Sequence, residues 1–248
     1  MNKKIFKAYD IRGIYPDEID ELAVYRITKA LCKYLQPKEL VIGSDVRLSS
    51  PSLKRAAIKA VTSSGVKVID IGEISTDMLY FTVAHFGYAG GLSITASHNP
   101  KEYNGMKLVR EGARPISADS GLLEIKEIVS RTDSGGYLLG AIDDSLIEKK
   151  DIMDDYIQKI KTFADFSKFK KFKIVANPNF GVAGRALDKL LEGTGIEIIK
   201  LNYEPDGNFP KGRPDPLIPA NREELSRLVV GKGADFGVAW DADADRCF

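Results

Sequence analysis

The sequence predicts an α/β protein made of two three-layer α/β/α domains with mostly parallel, mixed sheets. Three observations carry this expectation. Short apolar strand patterns alternate with amphipathic helix patterns, the signature of βαβ units and of a sheet covered on both faces. The chain has 248 residues, about 1.7 times a domain length of ~150, which favours two domains over one. Two of the strands run into polar loops rich in reactive side chains, where open α/β sheets keep their ligands.

The elements follow in order. An amphipathic helix is predicted over 20–35, with Leu22, Ala23, Ile27, Ala30, Leu31 and Leu35 on one face. Leu40-Val41-Ile42 reads as a strand. Ser50 then caps a helix with Pro51 at its first position and Leu53, Ala56, Ala57, Ala60 and Val61 on its apolar face. Val66 to Ile71 is the next strand, and Thr76 caps a helix reaching about Phe86 with His85 near its end. The small and apolar run Gly90 to Ile94 is a buried strand. Gly105 to Val109 is another, followed by a helix from about Ser117 to Val129. Thr132-Asp133-Ser134-Gly135-Gly136 is the clearest break, and it sets a domain boundary near 135–145, with domains at 1–140 and 141–248. The second domain is expected to hold a helical segment at about 145–164, a strand from Phe172 to Ala176, a helix through Ala186, Leu187, Leu190 and Leu191, and a strand from Ile196 to Leu201. Asn221 with Glu224 gives a capping-box-like start to a helix reaching Val230. Phe236 to Trp240 is the last strand. Arg246-Cys247-Phe248 reads as the start of another, so a fragment is expected.

Composition excludes several classes. Lysine plus arginine (36) balances aspartate plus glutamate (35), so no basic field for nucleic acid is present. No apolar run approaches the roughly 20 residues of a membrane span. No apolar segment follows Lys3 and Lys4 as in a signal peptide. Cys32 and Cys247 lie far apart and read as reduced thiols of a cytoplasmic protein.

Two loops carry the chemistry. The first is Thr95-Ala96-Ser97-His98-Asn99-Pro100, where Pro100 stops any regular ladder. Ser, His and Asn are ordinary loop residues, and a Ser-His pair alone is more often a solvated turn. A hydrolase triad fits poorly, because no Gly-x-Ser-x-Gly elbow surrounds Ser97 and sequence neighbours seldom meet as nucleophile and base. Serine chemistry here calls for another activator, such as a metal. The second loop is Asp241-Ala242-Asp243-Ala244-Asp245-Arg246. Carboxylates at every second position repel one another and call for a cation. Oxygen-only ligands suit Mg²⁺, which takes six oxygens at about 2.0–2.1 Å and so leaves room for a further protein or substrate oxygen. An EF-hand also begins Asp-x-Asp-x-Asp, but Arg246 stands where that loop needs Gly and a strand precedes where a helix should. A plain solvated acidic turn is the other alternative; Arg246 speaks against it, since an arginine beside a metal suits phosphate recognition.

These loops, with several other segments, identify a resemblance. Thr95-Ala96-Ser97-His98-Asn99-Pro100 followed by Tyr103-Asn104-Gly105-x-Lys107 resembles the active-site segment of the α-D-phosphohexomutases. Tyr9-Asp10-Ile11-Arg12-Gly13 resembles their N-terminal motif, and Gly43-x-Asp45-x-Arg47-x-Ser49-Ser50 another. Asp206-Gly207-Asn208-Phe209-Pro210 and Pro214-Asp215-Pro216 are similar to their second domain, and Asp241-x-Asp243-x-Asp245-Arg246 to their metal loop. The matches keep the family order and span the chain; the Tyr-Asp-Ile-Arg-Gly opening resembles the phosphomannomutase/phosphoglucomutase branch. The resemblance implies a phosphoglucomutase-like fold and a phosphohexomutase that interconverts hexose 1- and 6-phosphates of mannose or glucose through a bisphosphate intermediate. It implies that Ser97 is phosphorylated in the resting enzyme and, with Asp241, Asp243 and Asp245, holds Mg²⁺. It makes Lys107 and His98 the acid/base candidates, has Arg12 help to place them, and sets Tyr9, Asn99 and Arg246 on the phosphate.

The residues alone favour a solvated surface lysine at Lys107, and Arg12 reads equally as a structural ion pair. Two positions depart from the family. Ala242 stands where Gly is common, so a negative φ is expected there, since a left-handed Ala costs roughly 1–2 kcal/mol. The turn Asn177-Pro178-Asn179-Phe180-Gly181-Val182-Ala183-Gly184 follows the family pattern only in part and receives no function. The third and fourth domains of the family, which read the sugar and grip its phosphate, have no counterpart here, so the half alone is expected to be inactive. A non-catalytic module that binds a metal or sugar phosphate is the reading of a different class.

Overall fold

The structure is a computed structural model and describes residues 2–131 and 141–248; the break at Thr132–Gly136 lies outside them. The chain divides into two compact units, Met1–Ala96 with Glu102–Asp151, and Ser97–Lys101 with Ile152–Phe248.

The first unit is built on seven strands: β1 (Ile11–Ile14), β2 (Glu39–Ser44), β3 (Lys67–Glu73), β4 (Gly90–Ile94), β5 (Tyr103–Arg110), β6 (Arg114–Pro115) and β7 (Ile147–Lys149). Their order is β1-β5-β4-β2-β3-β7, with β6 on β5. Only β5 runs against the others, so the sheet is mixed and mostly parallel. Helices α1 (Glu21–Leu35), α2 (Ser50–Thr62) and α4 (Leu123–Ser130) cover one face, and α3 (Thr76–His85) covers the other. Strand alternation decides which side chains meet which layer. Leu92, Ile94, Met106 and Leu108 join Ile27, Leu31, Leu53, Ala57 and Ile125 in one core. Gly91, on the opposite face of β4, sits against Leu79 of α3.

Several local expectations change. Ser50 is the first residue of α2 rather than its cap; Ser49 holds the cap position without a side-chain bond. The buried carboxylate of Asp45 has captured the Ser50 hydroxyl, which donates to Oδ1 at 2.7 Å. Ser75, not Thr76, is the cap residue of α3. The helix expected from Ser117 is irregular until Leu123, because Ser120 and Gly121 leave helical geometry and Gly121 packs against the Tyr34 ring. Ile147–Lys149, expected to be helical, is a strand beside β3, where Lys67 pairs with Glu148 at 2.8 Å.

The second unit has a parallel sheet, β10-β8-β9, formed by β8 (Lys173–Asn177), β9 (Glu197–Lys200) and β10 (Phe236–Ala239). Its helices are α5 (Met153–Lys161), α6 (Ala183–Leu191) and α7 (Ala220–Lys232). Val175, Leu225 and Ala239 form its core beneath α7, with Ile199, Leu228 and Val229 around them. Asn221 does not cap α7. It lies inside the helix, and its amide donates to the carbonyls of Arg213 and Asp215, both at 2.9 Å, so it ties down the incoming loop. At the chain end Phe248 exchanges both backbone hydrogen bonds with Ala239.

A buried polar network fixes where β5 enters the first sheet. Arg47 and Asp45 form an ion pair at 3.1 Å with both side chains fully buried. Arg47 also donates to the carbonyl of Tyr103 at 3.0 Å, and Asn104 donates to Ser49 and Ser50 while accepting from the Gly105 amide. A Cβ at Gly105 would collide with the backbone carbonyl of Ile11 and press on that of Thr95. Backbone cannot move aside as a side chain can, so Gly105→Ala is expected to destabilise the protein by about 2–3 kcal/mol, read as a lower midpoint in urea unfolding.

Candidate active site

The second unit brings together the serine loop and the acidic loop. Ser97 is fully buried and holds a left-handed backbone, φ 50°, a conformation that costs a non-glycine residue about 1–2 kcal/mol. Its hydroxyl donates to Asp241 Oδ2 at 2.5 Å and accepts from Arg246 Nη2 at 2.9 Å. His98 Nδ1 lies 3.1 Å from Ser97 Oγ and is in contact with Arg246 Nη2 as well. Arg213 fixes the backbone of this loop by donating from Nε to the His98 carbonyl at 2.9 Å while pairing with Asp215 at 2.9 Å. Asn99 sits partly exposed on the same loop.

The acidic loop follows β10. One oxygen from each of Asp241, Asp243 and Asp245 falls within a group no wider than 4.8 Å; Asp241 and Asp243 are buried and Asp245 is exposed. Arg246 supplies one positive charge, with Nε 3.4 Å from Asp241 Oδ2 and 3.7 Å from Asp245 Oδ1. The donors are hard oxygens only, so these residues fit a hard divalent cation. Ala242 has a negative φ, as expected, and is fully buried; the left-handed position of the loop is Ala244, φ 57°.

The other candidates belong to the first unit. Lys107 on β5 is buried, opposite Ser93 on β4, and its ammonium donates to the Thr76 hydroxyl at 3.1 Å. It is therefore not a solvated surface lysine. Arg12 pairs with Asp10 at 2.7 Å and reaches the Ala96 carbonyl at 3.4 Å, so it has the ion pair left open by its sequence and a contact with the strand's exit as well. Tyr9 is 82% exposed.

Asp10, Asp45, Arg213 and the Asn177–Val182 turn received no role from sequence, and Thr76 only that of a helix cap. One signal was available: Asp10-x-Arg12 and Asp45-x-Arg47 share a spacing, and in both the arginine Nε donates to the aspartate Oδ2, at 2.8 and 3.1 Å. The strain at Ser97 is separable from its hydroxyl. Ser97→Gly and Ser97→Ala both remove the oxygen, but only glycine relieves the backbone. The glycine variant is expected to be about 1 kcal/mol more stable than the alanine variant in urea unfolding.

Comparison with known proteins agrees with this geometry. Family models described as phosphoglucomutase/phosphomannomutase alpha/beta/alpha domain I and domain II match residues 3–135 and 154–248. A protein named phosphohexose mutases from Xanthomonas campestris pv. campestris is 45% identical over 248 residues, covering 100% of this chain and 54% of the relative. A phosphomannomutase from Salmonella montevideo is 41% identical over 255 residues, covering 100% of this chain and 55% of the relative. The crystal structure of a phosphoglucomutase/phosphomannomutase family protein from Burkholderia thailandensis superposes with a TM-score of 0.85 at 31% identity, over 100% of this chain and 54% of that one. The chain thus spans about half the length of the curated relatives it matches. Among the described residues no helix is long and apolar enough to cross a membrane. With its two domain matches in order and a serine loop seated beside an acidic loop, the chain belongs to the phosphoglucomutase/phosphomannomutase family, of which it carries domains I and II.

Proposed function

We propose that this chain is the N-terminal half of a cytoplasmic phosphohexomutase that interconverts the 1- and 6-phosphates of mannose or glucose, with Ser97 as phosphoryl carrier. The observation that supports this most directly is the seat of Ser97 Oγ, 2.5 Å from Asp241 and 2.9 Å from Arg246 at the edge of a carboxylate cluster. A buried serine with an acceptor for its proton and a guanidinium on its oxygen suits an atom that alternately carries and releases a phosphoryl group. Asp241, Asp243, Asp245 and Ser97 would hold Mg²⁺, which when bound supplies positive charge against the phosphoryl oxygens.

The chemistry divides among the chain's own residues. A sugar hydroxyl attacks the phosphorus of phosphoserine; the new P–O bond forms as the P–Oγ bond breaks, the hydroxyl proton passes to a base, and the leaving Ser97 Oγ takes up a proton from an acid. Lys107 and His98 are the proposed acid/base groups, with Arg12 placing them. Arg246, Tyr9 and Asn99 are assigned to the phosphate. The bisphosphate then returns its other phosphoryl group to Ser97 Oγ with the proton transfers reversed. The residues that fix the sugar are assigned to the half of the enzyme that follows.

Intact mass and peptide mapping of the purified protein are expected to show one phosphoryl group on Ser97. In the full-length enzyme, Ser97→Ala is expected to abolish turnover of mannose 1-phosphate. Unimpaired turnover by that variant, or by these 248 residues alone, would overturn the proposal. Removal of divalent metal with EDTA is expected to stop turnover, and added Mg²⁺ to restore it.

A further inference from the structure

The turn Asn177–Val182 joins β8 to α6, and three backbone or amide hydrogen bonds run from it to the acidic loop. Trp240 N donates to the Asn177 carbonyl at 3.0 Å, and Val182 N donates to the Ala242 carbonyl at 3.1 Å. Asn179, itself buried, donates from its side-chain amide to the Trp240 carbonyl at 2.6 Å. The carbonyls on both sides of Asp241 are therefore held by this one turn. Gly181 closes the contact: a Cβ there would lie 2.6 Å from Ala242 Cα.

The turn is itself strained. Asn179 and Phe180 are consecutive non-glycine residues with positive φ, 50° and 62°. Asn179 tolerates this better than most residues, and its own amide N–H donates to Asn177 Oδ1 at 3.0 Å. Two left-handed residues in a row persist only where the surroundings over-determine them, and such strain clusters at functional sites.

Resting on the metal reading above, we propose that Asn179 and Gly181 are positioning residues for the cation site: they hold Trp240 and Ala242 so that Asp241 and Asp243 present their carboxylates at a fixed spacing. Neither residue is among the proposed ligands. Outer residues of this kind change metal affinity by about 10–100-fold when removed.

The test uses Mn²⁺ as probe, with binding to the 248-residue chain followed by the paramagnetic resonance signal of free Mn²⁺. The wild type is expected to bind one ion, and Asp243→Asn to lose it. Asn179→Gly keeps the left-handed backbone and deletes only the amide, and it is expected to weaken binding at least tenfold. Tyr203→Phe removes a hydroxyl that bonds Gly184 and Asp188 in the same unit; it controls for general loosening and is expected to bind as wild type does. Gly181→Ala is expected to weaken binding further, and if it fails to fold, Asn179→Gly decides. Wild-type affinity in Asn179→Gly, or an equal loss in Tyr203→Phe, overturns the inference while leaving the metal reading intact. A wild type that binds no Mn²⁺ overturns both.

Discussion

Carboxylates forced together are the constraint around which the second unit is organised. Oxygens of Asp241 and Asp243 lie within 4.8 Å of each other and both residues are buried, so their mutual repulsion is at least about 3.5 kcal/mol at an effective dielectric constant near 20. Asp245 adds to it, and the Arg246 guanidinium, 3.4 Å from Asp241 and 3.7 Å from Asp245, offsets part of it. An arrangement of that kind spreads apart unless backbone holds it or positive charge offsets it. The backbone part is visible. β10 is hydrogen-bonded to β8 on one side and to Phe248 on the other, and the loop that follows is fixed through the carbonyls of Trp240 and Ala242.

Ser97 answers the same constraint. Its hydroxyl hydrogen points at Asp241 in a short charge-assisted bond, which is possible only while the oxygen carries that hydrogen. A phosphoserine in this place would bring up to two further negative charges beside a carboxylate. That added charge favours a cation at this loop more than an unmodified serine does. The phosphoryl-carrier and metal readings therefore support each other through charge balance, independently of sequence resemblance.

The central strands β2 to β5 and β8 to β10 were legible because short runs of small and apolar side chains between turn signals admit few other readings, whereas β1 and β6, short and mixed in polarity, were not read. The two reactive loops were legible because both leave the carboxyl ends of parallel strands and concentrate polar groups that have no reason to be there. What could not be read were competitions for a single polar group. Ser50 and Asn221 are good helix caps by type, but Asp45 takes the hydroxyl of one and two loop carbonyls take the amide of the other. Ile147–Lys149 has no strand signal of its own length and becomes a strand because β3 presents an open edge. The Asp-x-Arg spacing was readable, but not that one pair would be fully buried and reach across to Tyr103.

That buried pair and the left-handed serine express one principle on two elements. Replacing a buried ion pair by apolar residues is often neutral or stabilising, so Asp45 and Arg47 are better explained by the geometry they impose than by stability. The pair fixes Tyr103, Asn104 and Gly105, and with them the register of Arg12 opposite Gly105 and the place of Lys107 two residues on. Ser97 likewise accepts a strained backbone in exchange for where its oxygen points. Glycine would take that backbone freely but has no oxygen, and threonine has the oxygen but a branched Cβ that resists positive φ. Serine meets both demands with the smallest side chain, which ties the identity of this residue to its backbone angle as much as to its chemistry.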